Sequence, residues 1–527
     1  MKKTITYILI LISTLGYSQK RIKIINADYS QNHEKYPNTI VAIGNVVAEI
    51  DGATLRCKRI EYFTKRNYLK AMGNVVINQA DTIVQTSDFA DYDGNQKLAK
   101  AWGNVVLRDP TTTISTEKLY FDRNKQKAYY NNKGKIVNED NTLTSKKGKF
   151  YLESKMFQAK DSVIIKNPEH VVESDYVDYY TNSGDTYLYE PSTITSKSSV
   201  VYTEKGYTNS KTKVSHLTKN SWIQYTDRKI YGDSIYHNGN TNFASVTGNL
   251  VAIDTINNSI IKGGYAEFFR AKDSAYVVDR AEAISIIEQD SLHMHGDTLM
   301  IIGPAEKRLV KAFHHVKFFK SDLSGKCDSL VSVQSTGITT MYRKPVLWSD
   351  GNQITGDSIK LLSNTVTEQL DSLKVLNNAF MVQKDTAGTG FNQIKGRHIL
   401  GKFVDNEMKY VDVVGNGDVI YYVRNDEGQL DGITKIRCSN IHLIMNSSKI
   451  EDIFFYTKPD GKTYPEKDLH VNDRKLRGFV WREDERPKDK HDIFRHDIGD
   501  DTIIEEEKRK EREQKRKKSK VVDDEWD

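Results

Sequence analysis

The chain has 527 residues, of which 38% are hydrophobic and 28% charged, with 9 prolines and 3 cysteines. Its formal charge of +6 sits at the ends: Lys2 and Lys3 supply two, and 505–520, with nine basic and five acidic residues, supplies four. The body is therefore near neutral, which argues against a nucleic-acid partner, and Cys57, Cys327 and Cys438 are too few and too scattered for a disulfide framework.

The N-terminus predicts export. Met1-Lys2-Lys3 is basic, 5–15 is mostly apolar, and Gly16-Tyr17-Ser18 puts small residues at the −3 and −1 positions of a cleavage site, so 1–18 reads as a secretory signal. The apolar run is shorter than the ~20 residues of a spanning helix. A soluble mature chain beginning near Gln19 and delivered to the periplasm is expected, with association at the outer membrane as a further option. The first cysteine, Cys57, comes too late for a lipoprotein anchor.

A repeat of about thirty residues follows. Gly44-Asn45-Val46-Val47, Gly73-Asn74-Val75-Val76 and Gly103-Asn104-Val105-Val106 recur at intervals of 29 and 30, and Gly248-Asn249-Leu250-Val251 brings the box back downstream. On a strand, residues in phase with the glycine share one face. Those residues are Ala42, Val46 and Ala48; Ala71, Val75 and Ile77; Ala101, Val105 and Leu107; Val246, Leu250 and Ala252. All are apolar, so each unit carries a strand face that only stacking can bury. A second series, beginning at Gly232-Asp233-Ser234 and ending at Gly356-Asp357-Ser358, continues the period and reads as strand, turn, strand. The repetitive β region is placed at 19–455. A proline-bearing cap or extended segment is expected at 456–486, and a charged tail, disordered or helical, at 487–527.

No constellation demands catalysis. Gly-Asp-Ser at 232–234 and 356–358 resembles the nucleophile block of a serine esterase, but serine gives way to Ala, Thr and Cys elsewhere in the register. His293 and His295 could join His314 or His315 around a metal, yet no known ligand spacing accompanies them, and cross-strand or surface roles are favoured. Asp412 and Asp418 cannot be placed across a cleft. No catalytic residue, metal or cofactor is expected.

The Ala-x-Gly-x-Val box within an all-β repeat, clearest over 27–165 and 225–300, resembles the OstA-like family, which includes the lipopolysaccharide-transport proteins LptA and the N-terminal domain of LptD. The resemblance implies an elongated, slot-shaped β-jellyroll whose interior holds acyl chains, and a non-enzymatic carrier or bridge for lipopolysaccharide or a related lipid. It puts the twelve glycine-phase residues named above toward the slot. It also implies pairing with other bridge components, or end to end with further copies, through edge strands. The chain is about three times longer than the short bridge proteins, and nothing after 456 reads as membrane strands. A structural or adhesive cell-surface β-solenoid without lipid is the alternative.

Overall fold

Strands rich in Val, Ile, Thr and Tyr at period two fill both of the units into which the chain divides, one ending at Ser221 and the other starting at Trp222. The structure, a computed structural model, describes residues 22–79, 82–287, 290–304, 307–349, 351–367, 369–405, 407–446 and 449–497. The expected signal segment and the charged run at 505–520 lie outside the described residues. The fold is all-β, as the repeat predicts. The helical segments among the described residues are short 3-10 turns such as Gln334–Thr336 and Asp492–Phe494.

In the first unit Thr39–Ile50, Ala53–Phe63, Tyr68–Gln79, Ile83–Asp93, Leu98–Arg108 and Thr112–Asp122 pair in chain order, each antiparallel to the next. Each is interrupted at mid-length. On Thr39–Ile50 the register passes from Ile43↔Arg59 to Val46↔Cys57, so two residues face one, which is a β-bulge. The two residues are Gly44 (φ 75°) and Asn45 (φ 42°), and Gly73-Asn74 and Gly103-Asn104 repeat the conformation. Glycine enters the left-handed region freely and asparagine with the smallest penalty among side-chain-bearing residues. The recurrent dipeptide is therefore a bend, where the sequence reading took it for uninterrupted strand. On the bulged strand Ala42, Val46 and Ala48 still face inward, whereas on its partner the phase slips by one, and Cys57 and Ile60, three residues apart, are both buried.

The bends align and divide the ladder into two walls. Farther along, the strands separate at the bend into half-strands, such as Lys127–Tyr130 with Gly134–Asn138 and Asn141–Ser145 with Lys147–Tyr151. Beside the bend one row runs across the strands through Ala42, Ile60, Ala71, Ala90, Ala101 and Leu119. All six are buried. Four alanines in that row allow the walls to converge, and larger side chains, Leu55 and Ile114 on one wall and Tyr62 and Tyr92 on the other, fill the wider space beyond.

The second unit repeats the bend at Gly248-Asn249. It ends in four strands of 14 to 18 residues, Leu370–Lys384, Phe391–Val404, Glu407–Arg424 and Leu430–Asn446. Two shorter strands, Lys449–Tyr456 and Asp460–Tyr464, both pair with the last of these. Strand structure thus extends past 455.

From 465 to 497 the chain runs as a strap across one wall of this unit. Leu469 packs with Ile420, Tyr422 and Ile433. The Gln393 amide donates to Arg474 O and accepts from Leu476 N, and the Gln353 amide likewise donates to Val480 O and accepts from Arg482 N, all at 2.7–2.8 Å. Phe391 lies 5.2 Å from both Phe479 and Trp481. At the far end Ile493 is fully buried and Asp497 pairs with Lys317 and Lys326 at 2.8 and 2.7 Å. The ordered strap continues eleven residues beyond 486, where charge composition alone had suggested that the tail begins.

Candidate functional site

Of the twelve residues expected to line a slot, ten are buried, and Ile77 and Ala252 are partly buried. They lie on the inner faces of their walls, split between the two units. In the first unit they belong to one apolar cluster that runs from Ile22 to Leu188. One cavity of about 40 Å³ opens in this interior, lined by residues including Ile50, Leu55, Ile77, Tyr92, Phe121 and Arg123. The small side chains of Ala42, Ala71 and Ala101 bring the walls together rather than leaving a wide channel.

The two margins of this interior differ in kind. At the bend the walls are joined by the covalent chain of every strand. At the opposite margin, where strand tips from the two walls meet, they are joined by polar side chains. The Tyr92 hydroxyl donates to the Asp51 carboxylate, and Arg123 donates to Asp51 O at 2.9 Å. Farther along, Lys155 pairs with Asp109 at 2.7 Å and the Tyr179 hydroxyl donates to Asn138 Oδ1 at 3.2 Å. Exposed Lys211–Glu139 and Lys213–Glu169 pairs, at 3.9 and 3.6 Å, extend the series. These contacts form a polar seam along the first unit.

The seam's electrostatics follow from partial burial. Burial alone would raise the Asp109 carboxyl, but hydrogen bonds from Lys155 and the Thr111 amide outweigh it and hold it below its ordinary range. Burial, reinforced by Asp51, pushes the Tyr92 hydroxyl up, and burial with Glu139 pushes Tyr179 up to about 12. The tyrosines are neutral donors at any physiological pH. None of these residues is singled out by the sequence. The seam's trace is polar partners separated by 41 to 46 residues, near one and a half repeats, which carries a turn on one wall to a turn on the other.

Residues 19–175 match a family model described as OstA-like protein. This OstA-like segment covers most of the seam and nine of the twelve inward residues. No curated protein matches the chain. Among solved structures, the chain is similar to LptH, described as the LptA homologous periplasmic component of the conserved lipopolysaccharide transport device from Pseudomonas aeruginosa. The identity is 13%, the TM-score 0.22, and the match covers 28% of this chain and 99% of that one.

Outside the OstA-like segment, the other residues singled out by sequence separate. Asp233 and Asp357 of the two Gly-Asp-Ser motifs accept from Asn249 and Asn378 at 2.9 and 3.1 Å, which gives the motif a role at the bend. Asp412 pairs with His442 and Asp418 with Arg437. His293 is held by Glu282 and His295 by Ala281 O. His314 and His315 occupy a bend and pair with Asp328 and Asp297. Burial lowers the His295 imidazole below its ordinary range, so that ring is neutral at pH 7.

Proposed function

We propose that this protein is a non-enzymatic periplasmic carrier or bridge that shields the acyl chains of lipopolysaccharide, or of a closely related lipid, on the way to the outer membrane. The observation that supports the reading best is the asymmetry of the first unit: a continuous apolar interior, fixed covalently along one margin and closed along the other by side chains alone. The OstA-like match over 19–175 falls on this unit.

Transfer of an acyl chain out of water is worth ~0.8 kcal/mol per CH₂, so a twelve-carbon chain supplies roughly 9 kcal/mol. A buried polar contact contributes about 1–3 kcal/mol, and the exposed pairs contribute less. Parting a few successive seam contacts is thus within reach of one acyl chain, which would then cover the inner rows exposed by the opening. The inward residues, Ala42 to Leu107 in the first unit and Val246, Leu250 and Ala252 in the second, are the proposed contact surface. Exposed edges such as Tyr29–Asn32 are the proposed pairing sites for other bridge components or further copies.

The tight packing favours one other reading, a β-scaffold whose interior stays dry. A photo-crosslinking residue at Ile77 or Phe121, which border the cavity, separates the two. Crosslinks to lipid in cells are expected; their absence from every inward position, with the protein folded, refutes the carrier.

A further inference from the structure

At four bends an asparagine amide on the bulge donates to an aspartate on the neighbouring segment: Asn45 to Asp28, Asn104 to Asp88, Asn249 to Asp233 and Asn378 to Asp357, at 2.9 to 3.1 Å. At the bend on Leu309–Phe319 the same two left-handed positions are held by His314 and His315 (φ 58° and 51°). His315 Nδ1 takes the place of the asparagine amide, 2.8 Å from Asp297 Oδ2. Other bends hold these two positions with Gly-Asn but also with Asp161-Ser162, Arg343-Lys344 and Asn377-Asn378, so the bend accepts side-chain-bearing pairs and does not itself call for histidine. The strap supplies a third group here. His496 lies with its ring 4.5 Å from that of His315, and ligand atoms of Asp297, His315 and His496 all fall within 4.8 Å of one another. The next residue, Asp497, is tied to the buried amines of Lys317 and Lys326, so the strap is held at this place independently of any ion.

We propose that Asp297, His315 and His496 bind a divalent transition-metal ion of the Zn²⁺ class. Two imidazoles and one carboxylate, completed by water, suit a tetrahedral ion with ligands at about 2.0–2.2 Å, and a modest contraction of the cluster reaches that geometry. The ion would fasten the end of the strap to the bend. The site is independent of the lipid reading.

The test is calorimetric titration of the full chain with Zn²⁺, paired with Co²⁺ absorption. One saturable site with the visible bands of tetrahedral Co²⁺ is expected. His496→Ala, a change at an exposed position, and Asp297→Asn should each weaken binding at least tenfold. His442→Ala, which removes a His–Asp pair outside this cluster, should leave binding unchanged. Absence of saturable binding, or equal affinity in the wild type and His496→Ala, overturns the assignment. Circular dichroism and the His442→Ala control separate loss of ligand from loss of fold.

Discussion

The side-chain amide of Asn249 donates to the carboxylate of Asp233 at 2.9 Å, joining a Gly-Asn bulge to the Gly-Asp-Ser motif that links the two short strands beside it. Asp233 N also donates to Gly248 O at 2.9 Å. Two motifs that look unrelated in the sequence are thus the two halves of one bend. A Cβ on Gly248 would collide with the Asp233 carboxylate, and φ there is +73°. Gly248→Ala should therefore destabilise the second unit by about 1–3 kcal/mol. Asn249→Ala, which loses one exposed hydrogen bond and puts alanine at φ 48°, should cost about 1–2 kcal/mol, less than Gly248→Ala. Urea unfolding of the two variants checks the order.

Breaking the seam should loosen the interior without dismantling the walls. Lys155→Met leaves the Asp109 carboxylate, 5% exposed, without its cation and should destabilise by about 1–3 kcal/mol. Binding of a hydrophobic dye should rise in the same variant. Asp109 has a depressed pKa in the folded protein, so its contribution is present above the ordinary carboxylate value and is lost as pH falls through the folded one. Acid titration of stability should show that loss in the wild type and not in Asp109→Asn.

Substitutions along the inner strip should act first on folding. Val75 is fully buried, and a glutamate there would bury an unpaired charge, at a cost of several kcal/mol. Val75→Glu should fail to fold, whereas Val75→Ala should lose about 1–3 kcal/mol and keep its β circular-dichroism spectrum. Lipid contact is therefore best probed at Ile77 and Phe121.

Docking of the strap should weaken in mild acid. His295 stacks 4.8 Å from Phe494 of the strap, and burial lowers its folded pKa below 6.5. The unfolded chain then takes up the proton first, so stability is intact above about 6.5 and declines as pH falls from there toward the folded pKa. His237, also lowered by burial, adds to the slope in the second unit. Limited proteolysis after 465 should accelerate between pH 7.5 and 5.5, and His295→Gln should flatten that dependence.

Salt-bridge rupture at the strap's end should be costly. Asp497 is shared by Lys317, 1% exposed, and Lys326, 7% exposed. Burial lowers the Lys317 pKa. For Glu485, burial alone would raise the carboxyl, but hydrogen bonds from Arg482 and Lys326 hold it at about 2. Asp497→Ala leaves Lys317 without its carboxylate and should destabilise by about 3–5 kcal/mol, read as a drop in thermal midpoint.

The inward rows of the bulged strands were legible because Ala42, Val46 and Ala48 are counted to the same face whether or not the strand bends between them, while on the partner strand, where Cys57 and Ile60 are both buried, simple alternation fails. The bend itself was hidden, since Gly-Asn within a run of Val and Ile looks like a weakened strand until two positive φ values are seen. The seam was less accessible still. Asp109 and Lys155 are both turn residues by composition, and only the meeting of opposite strand tips makes them partners. The end of the strap was not legible, because Asp497 sits in a charged stretch and its partners, Lys317 and Lys326, lie nearly two hundred residues earlier.

The central claim is that the interior of the first unit takes up acyl chains through the seam. Its most direct test combines a photo-crosslinker at Phe121 with cysteines at Asp109 and Lys155, bridged or left unbridged by a short bis-maleimide. Lipid labelling should be strong in the unbridged protein and fall severalfold once the seam is locked. Equal labelling in both would contradict entry through the seam, and no labelling in either would contradict a lipid-carrying interior.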